Sequence, residues 1–472
     1  MERLTNSVVK RLPGDVQIPG DRPQTSGVLH IGAGAFHRAH QAVYTDDTDW
    51  GITVVAPRSR GVIDALAEQD GLFSVATLGP EGASMRVVGS IVDTIHAFTE
   101  RERFIETVAA DSTHVVTLTI TEKAYGAIIG MVGQLARGIA LRAERGGPPL
   151  TVLCCDNLPD NGKFTKAAVE RTLTAVTAVN PEFPERGPAL LAKRERTLAW
   201  MAENVTFPSS MVDRIVPAST KATYERALGE LGVTDLAAVE AEPFTQWVIE
   251  DDFAGPRPPW DATYTHDVAG WERLKLRTLN GVHSTLAYLG ALADVETISE
   301  TLALPGTEAF ARWLISEQIA PSFTPPDGQD TVAYGEDVLE RFRNPGIRHR
   351  CLQIAMDGSQ KLPQRLFATI GDLAEAHVDL DLIALPLAAW TRFCAGKSDN
   401  GNDLPLDDPL KDVIRQSLAA AGTNPAARVD AILGLHQIVP ESVADNHQLR
   451  RAAAKWLREL DRHGVATTLE HL

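Results

Sequence analysis

Cysteine is scarce in this chain, and what there is does not group. Cys154, Cys155, Cys351 and Cys394 are the only ones among 472 residues, and none has C-x-x-C spacing. A disulfide framework and a cysteine zinc site are therefore not expected. Long apolar runs are also lacking, and none approaches the ~20 residues that span a bilayer. The N-terminal Met-Glu-Arg-Leu-Thr-Asn-Ser has no apolar core of the secretion-signal kind, so a cytoplasmic location is expected. Basic charge is in deficit: the formal net charge is -17. That balance argues against nucleic acid or an anionic membrane as a main partner. The chain shows no solenoid-period repeat and no low-complexity tract. With 44% hydrophobic and 23% charged residues, it has the composition of a globular enzyme. Its length suggests two domains.

The first half alternates strands and helices. Residues 1–26, with Pro13, Gly14, Pro19, Gly20 and Pro23, form an irregular lead-in. Gly27-Val-Leu-His-Ile31 reads as a short strand. It runs into Gly32-Ala33-Gly34-Ala35-Phe36-His37-Arg38-Ala-His40, which opens a helix through Tyr44. A strand, a glycine turn and a helix let backbone N–H groups approach a pyrophosphate. His37 stands where the third glycine of G-x-G-x-x-G is usual. Further strands are predicted at 52–56, 114–121 and 150–155, with helices at 60–69 and 135–145. The pattern predicts an α/β fold with a Rossmann-like, doubly wound parallel sheet. Ligands bind beyond the carboxyl ends of such strands. Glu122 and Asp156-Asn157 fall at those ends, and Asn157 is a candidate amide donor or a turn cap. His37 and His40 form H-x-x-H without further ligands nearby, and no metal is expected. The acidic residue that usually follows the second strand and grips a ribose is missing. Val55-Ala-Pro-Arg58-Ser-Arg60 stands there instead. These arginines suit a 2′-phosphate or are solvated loop residues, which leaves NAD and NADP both open.

Beyond a boundary near residue 268 the pattern is helical: 271–293, 306–319, 329–343, 346–355, 380–396, 409–421 and 447–464. Trp271 to Gly290 reads as one helix carrying Lys275, Asn280 and His283. At 100° per residue Asn280 and His283 share a face, and Lys275 lies within a roughly 140° arc of them. A lysine in a first helical turn meets the positive end of the dipole, which favours its neutral form. An asparagine amide can donate to an oxygen gaining charge, and a histidine can orient it. The run Arg348-His-Arg350, Gln353 and Asp357-Gly-Ser-Gln-Lys361-Leu-Pro-Gln-Arg365 suits an anionic or polyhydroxylated ligand, or is a charged loop.

Together these segments resemble the polyol-specific long-chain dehydrogenases, the mannitol dehydrogenase family. The carriers are Gly32 to Gln41, Leu118-Thr-Ile-Thr-Glu122, Cys155-Asp-Asn157-Leu-Pro, Met211-Val-Asp213-Arg-Ile, Glu242-Pro-Phe, and Lys275 with Asn280 and His283. The resemblance implies a dinucleotide-binding domain over 1–267 and a mostly α-helical substrate domain over 268–472, with the site between them. It implies zinc-independent hydride transfer between NAD or NADP and a sugar carbon. Lys275 is then the general acid/base, Asn157 and Asn280 polarise the carbonyl, and His283 positions the reacting oxygen. Ile31, Gly32, Ala33, Gly34, Ala35 and Phe36 form the cofactor turn, with Arg58 and Glu122 beside it. Asp213, Arg348, Lys361 and Arg365 are the expected substrate contacts.

The Gln353–Arg365 run is most similar to the fructuronate-reducing branch, and it departs from the mannitol branch at Gln353, where arginine is usual. The expected activity interconverts a keto-sugar acid and its hydroxy acid, of the D-fructuronate/D-mannonate type. The alternative is a polyol 2-dehydrogenase acting on mannitol, arabinitol or sorbitol. A non-catalytic dinucleotide sensor is the remaining reading, though it has no use for a proton donor. The oligomeric state is left open. If Arg58 and Arg60 clamp a 2′-phosphate, replacing both with Ala should weaken NADPH binding and spare NADH. Equal affinities before and after, by fluorescence titration, would make them ordinary surface residues.

Overall fold

The β-branched runs of the first half become strands buried on both faces. A computed structural model describes residues 2–56, 60–120, 124–125, 130–176 and 187–472. Compact units divide at Ala269 and Gly270. The first unit carries β1 (Ser26–Ile31), β2 (Gly51–Ala56), β3 (Phe73–Gly79), β4 (Gly82–Val88), β5 (Ile91–His96), β6 (Val115–Leu118), β7 (Leu150–Cys154), β8 (Val205–Thr206), β9 (Ser210–Asp213), β10 (Val239–Ala241), β11 (Gln246–Glu250) and β12 (Thr263–Thr265). Its main sheet has six strands in the order β5-β2-β1-β6-β7-β8, and every neighbouring pair is parallel. In order of entry this is third, second, first, fourth, fifth, sixth, the doubly wound arrangement. Every residue of β2, β6 and β7 is buried, which is why they read as unbroken apolar runs rather than as alternation.

The strand third in order of entry was not expected from sequence. It is β5, which follows the antiparallel β3–β4 hairpin. That hairpin joins β10 in a smaller sheet, and β9, β11 and β12 make another. The proline-punctuated stretch after Glu242 enters the core: Trp247 is buried on β11 and lies 4.4 Å from Trp260 between ring centroids. Behind the main sheet, Arg142 is fully buried. Its guanidinium donates to the carbonyls of Val108, Ala110, Thr113, Pro148 and Pro149. A buried cation is tolerable there because its donors are used.

The second unit is helical. Helices at Gly281–Leu292, Asp381–Cys394 and His447–Glu470 pack around a common core. Every residue from Val282 to Leu292 is buried, so this helix is enclosed on all sides and sits inside the unit. At Gly290 an added Cβ would stand 2.1 Å from Thr301 Oγ1 and 2.6 Å from Cys351 Sγ. The expected helix over 346–355 shrinks to Cys351–Ile354, since Pro345 and Gly346 do not support an earlier start. Pro425–Leu433 is a helix that the periodicity did not reveal. No described helix is long and apolar enough to cross a membrane.

Gly32 is the residue on which the end of β1 depends. Its φ is +123°, and a Cβ there would lie 2.3 Å from the Thr119 carbonyl oxygen. Gly32→Ala should therefore destabilise the first unit by ~2–4 kcal/mol. A thermal midpoint within a degree of the wild type would contradict this.

Candidate active site

The turn after β1 is shaped for close approach. Gly34 has no described atom within 4 Å of a notional Cβ, and its φ of -66° suits any residue. Neither backbone nor packing calls for glycine here, whereas a phosphate against the turn does. Ile31 and Ala33 face the core, while Gly34 is exposed and Ala35 and Phe36 are half-buried. The helix that follows runs from Ala35 to Ala39, breaks at His40, and resumes over Gln41–Asp46, instead of continuing unbroken.

His37 stacks on His30 with ring centroids 3.4 Å apart. The close strand–helix contact that a third glycine usually permits is here made by two flat rings. His30 is held by Thr117 Oγ1 at 2.7 Å and Thr119 Oγ1 at 2.9 Å. His40 Nε2 lies 2.9 Å from the Gln246 carbonyl. His37 and His40 thus serve packing, and among the described residues no His, Cys, Asp and Glu group has a metal-site arrangement.

At the next strand ends, Asp156 accepts from Ile120 N at 3.1 Å and Tyr125 Oη at 2.7 Å. It joins the ends of β6 and β7 and leaves the adjacent Asn157 exposed. Asp213 is buried at the end of β9. Arg60 is turned toward Asp64, 3.6 Å away. Arg58 and Glu122 lie outside the described residues.

In the helical unit the structure corrects one expectation. Lys275 is not in a first turn, because the helix begins at Val268. The dipole argument for this lysine lapses, and its burial remains. Lys275–Asn280 is wound as a π-helix between α-helical segments. Wider i→i+5 winding turns less per residue than an α-helix. It therefore narrows the arc between Lys275 and Asn280 from the α-helical value. A second π segment, Pro363–Phe367, packs beside it: a Cβ on Gly281 would be 3.0 Å from the Arg365 carbonyl oxygen.

Asn280 and His283 are both buried, and Asn280 Nδ2 and His283 Nε2 have no hydrogen-bond partner among the described residues. The His283 ring lies 4.8 Å from Phe342 and 5.1 Å from His349. Burial holds it neutral, and the charges of Arg365, Arg341 and Lys361 press the same way. Arg365 Nη1 donates to Ser284 Oγ at 3.0 Å. Lys361 Nζ donates to the carbonyls of Met356 at 2.6 Å and Ile354 at 3.3 Å. Burial, with Arg365 second, brings Lys361 down to about 8, and burial brings Arg365 down to about 10. Lys361 and Arg365 are thus brought to His283. Arg348 is turned to Glu296 at 2.8 Å and stays largely exposed. Arg341, Phe342 and Ser284 escaped the sequence reading because no motif carries them. His349 stood inside the basic run without a distinguishing signal.

Two sequence profiles cover nearly the whole chain: the mannitol dehydrogenase Rossmann domain over residues 26–262 and the mannitol dehydrogenase C-terminal domain over 267–461. The chain belongs to the mannitol dehydrogenase family. It is an oxidoreductase of that family, and it is 36% identical to the D-mannonate oxidoreductase of Escherichia coli (strain K12), over 96% of this chain and 98% of that one. The mannitol dehydrogenase fold is equally plain in solved structures. A Pseudomonas fluorescens mannitol 2-dehydrogenase, in ternary complex with NAD and D-mannitol, superposes with a TM-score of 0.82 at 30% identity, covering 99% of both chains. A substrate-free D-sorbitol dehydrogenase gives 0.86 at 26% identity, over 99% of this chain and 100% of that one.

The buried imidazoles set a pH dependence. His30 titrates at about 3 in the folded chain against an ordinary 6.5, because burial opposes its charge. Below pH 6.5 the unfolded chain binds a proton that the folded chain refuses. Stability therefore falls as pH falls, by up to ~1.4 kcal/mol per unit for a fully shifted histidine. His37 and His283 act in the same direction, as does His349, lowered to about 4 by burial and Arg341. Urea midpoints should drop between pH 7 and pH 5, and His30→Gln should flatten the drop. A midpoint independent of pH in that window would refute the account.

Proposed function

We propose that this chain reduces a keto-sugar acid of the D-fructuronate type to its hydroxy acid, a D-mannonate-type product, with NADH or NADPH. The observation that supports this reading most is the setting of His283. Its free Nε2 and the free Nδ2 of Asn280 lie on the same helix, within the field of Arg341, Lys361 and Arg365. Such a group receives an oxygen and favours negative charge nearby. The likeness to a D-mannonate oxidoreductase agrees with it, and the open turn at Gly34 suits a dinucleotide.

When bound, the nicotinamide supplies the hydride that goes to the C5 ketone. Asn280 donates an N–H to the oxygen as it gains charge, and Asn157 is assigned the same task on the family resemblance. His283, neutral, holds that oxygen in place through Nε2. Lys275 delivers the proton that completes the hydroxyl. In the reverse direction Lys275 withdraws it, so high pH favours oxidation. Lys361 and Arg365 receive the carboxylate, since an unpaired carboxylate in a partly buried site costs several kcal/mol. Asp213 is a further substrate contact on the family resemblance.

Steady-state rates with both cofactors test this reading. Fructuronate should exceed fructose in kcat/KM, and Arg365→Gln should shrink the preference. Lys275→Ala should lower turnover by at least ~100-fold while cofactor affinity holds. Should fructose be reduced as well as fructuronate or better, the substrate is a ketose and the enzyme a polyol 2-dehydrogenase, as in the D-mannitol complex.

A further inference from the structure

Extended backbone presents successive side chains to opposite sides, and the segment around Arg348–Arg350 does so. Thr297 and Arg350 form an antiparallel bridge. Ile298 N donates to the His349 carbonyl at 3.0 Å, and Cys351 N to the Glu296 carbonyl at 2.9 Å. Arg348 and Arg350 point outward, largely exposed, and reach Glu296 at 2.8 and 3.7 Å. His349 points the other way, its ring 5.1 Å from that of His283 at an interplanar angle of 36°. Phe342 is the other ring against His283, at 4.8 Å and 27°. Among the described residues no group bonds Nε2 of His283, so packing against these flat neighbours sets where that nitrogen points.

We propose that His349 is a positioning residue, whose ring, pinned by the backbone bridge to Thr297, fixes the orientation in which His283 presents Nε2 to the reacting oxygen. This rests on the role given above to His283. The pair is compatible with the surrounding cations because both imidazoles are held neutral: His349 by burial and Arg341, and His283 by burial and by the charges of Arg365, Arg341 and Lys361. The basic run therefore divides its work. Its arginines face Glu296, and the histidine between them faces the site.

The test compares wild type with His349→Ala, His349→Leu and His349→Phe, using whichever of fructuronate or fructose the wild type reduces faster. Loss of the flat ring should lower kcat by about 10-fold or more, the scale of a small misplacement of a reacting group. KM and the dissociation constant for NADH should stay within about twofold. The Phe variant should recover most of the loss, while Leu, of similar bulk but not planar, should not. Crystal structures of His349→Leu and His349→Phe should show the His283 ring turned in the first and in place in the second. If Ala fails to fold, the Leu–Phe comparison still decides. An unchanged kcat in Leu, a Phe variant no better than Leu, or a His283 ring unmoved in Leu would each overturn the proposal. The wild-type substrate preference, which tests the keto-acid reading, is a separate measurement. The crystallographic comparison needs no substrate.

Discussion

An interior helix cannot leave polar groups dry without cost, and this one leaves three. Thr278 Oγ1, Asn280 Nδ2 and His283 Nε2 are buried without a described partner on a helix packed into the core of its unit. Each such group costs ~1–3 kcal/mol, so the fold retains them against its own stability. The surrounding features follow from that constraint. The π-wound turn draws Lys275 toward Asn280. Gly281 lets the Arg365 backbone come close. Phe342 and His349 hold the imidazole without using its nitrogen. In the proposed mechanism a ligand oxygen completes the set.

Charge around the site is arranged to stay where it is. Lys361 is tethered to two carbonyls and Arg365 to Ser284, so their positions do not depend on a counter-ion. With these cations nearby, a protonated His283 would be repelled on every side, and burial removes the solvent that would relieve it. The imidazole is thus fixed as a neutral orienting group, and acid–base work falls to Lys275 in the proposed mechanism. The cation that sequence placed with them, Arg348, is neutralised at the surface by Glu296. Exposed pairs of that kind contribute little energy, and its use is to leave the opposite side of the segment to His349.

In the first unit the same economy appears at the end of β1. Gly32 is required by backbone conformation and by Thr119, whereas Gly34 is required by neither. The distinction separates the glycine that builds the turn from the one that leaves room beside it. The His30–His37 stack replaces the third glycine, and Thr117 on β6 and Thr119 just beyond it hold His30 in place.

Sequence by itself determined the family, the parallel sheet of the first half and the helical second half, and it put forward the residues of the proposed site. It could do so because buried parallel strands are continuous apolar runs and because Lys275, Asn280 and His283 are local to one helix. It missed β5, whose half-buried middle, Val92–Thr94, breaks the apolar run, and whose position after a hairpin hides a sheet strand. It also placed Lys275 in a first turn and did not reveal that Arg348 turns to Glu296. Those errors share a physical cause. A π turn, a helix start several residues earlier, and the side to which an extended segment turns its side chains are set by what packs against them. Only the tertiary structure decided that Arg341, from the separate helix Thr331–Arg343, adds its charge to those of Lys361 and Arg365 at His283. Only it decided that His349, and not its arginine neighbours, lies against that ring.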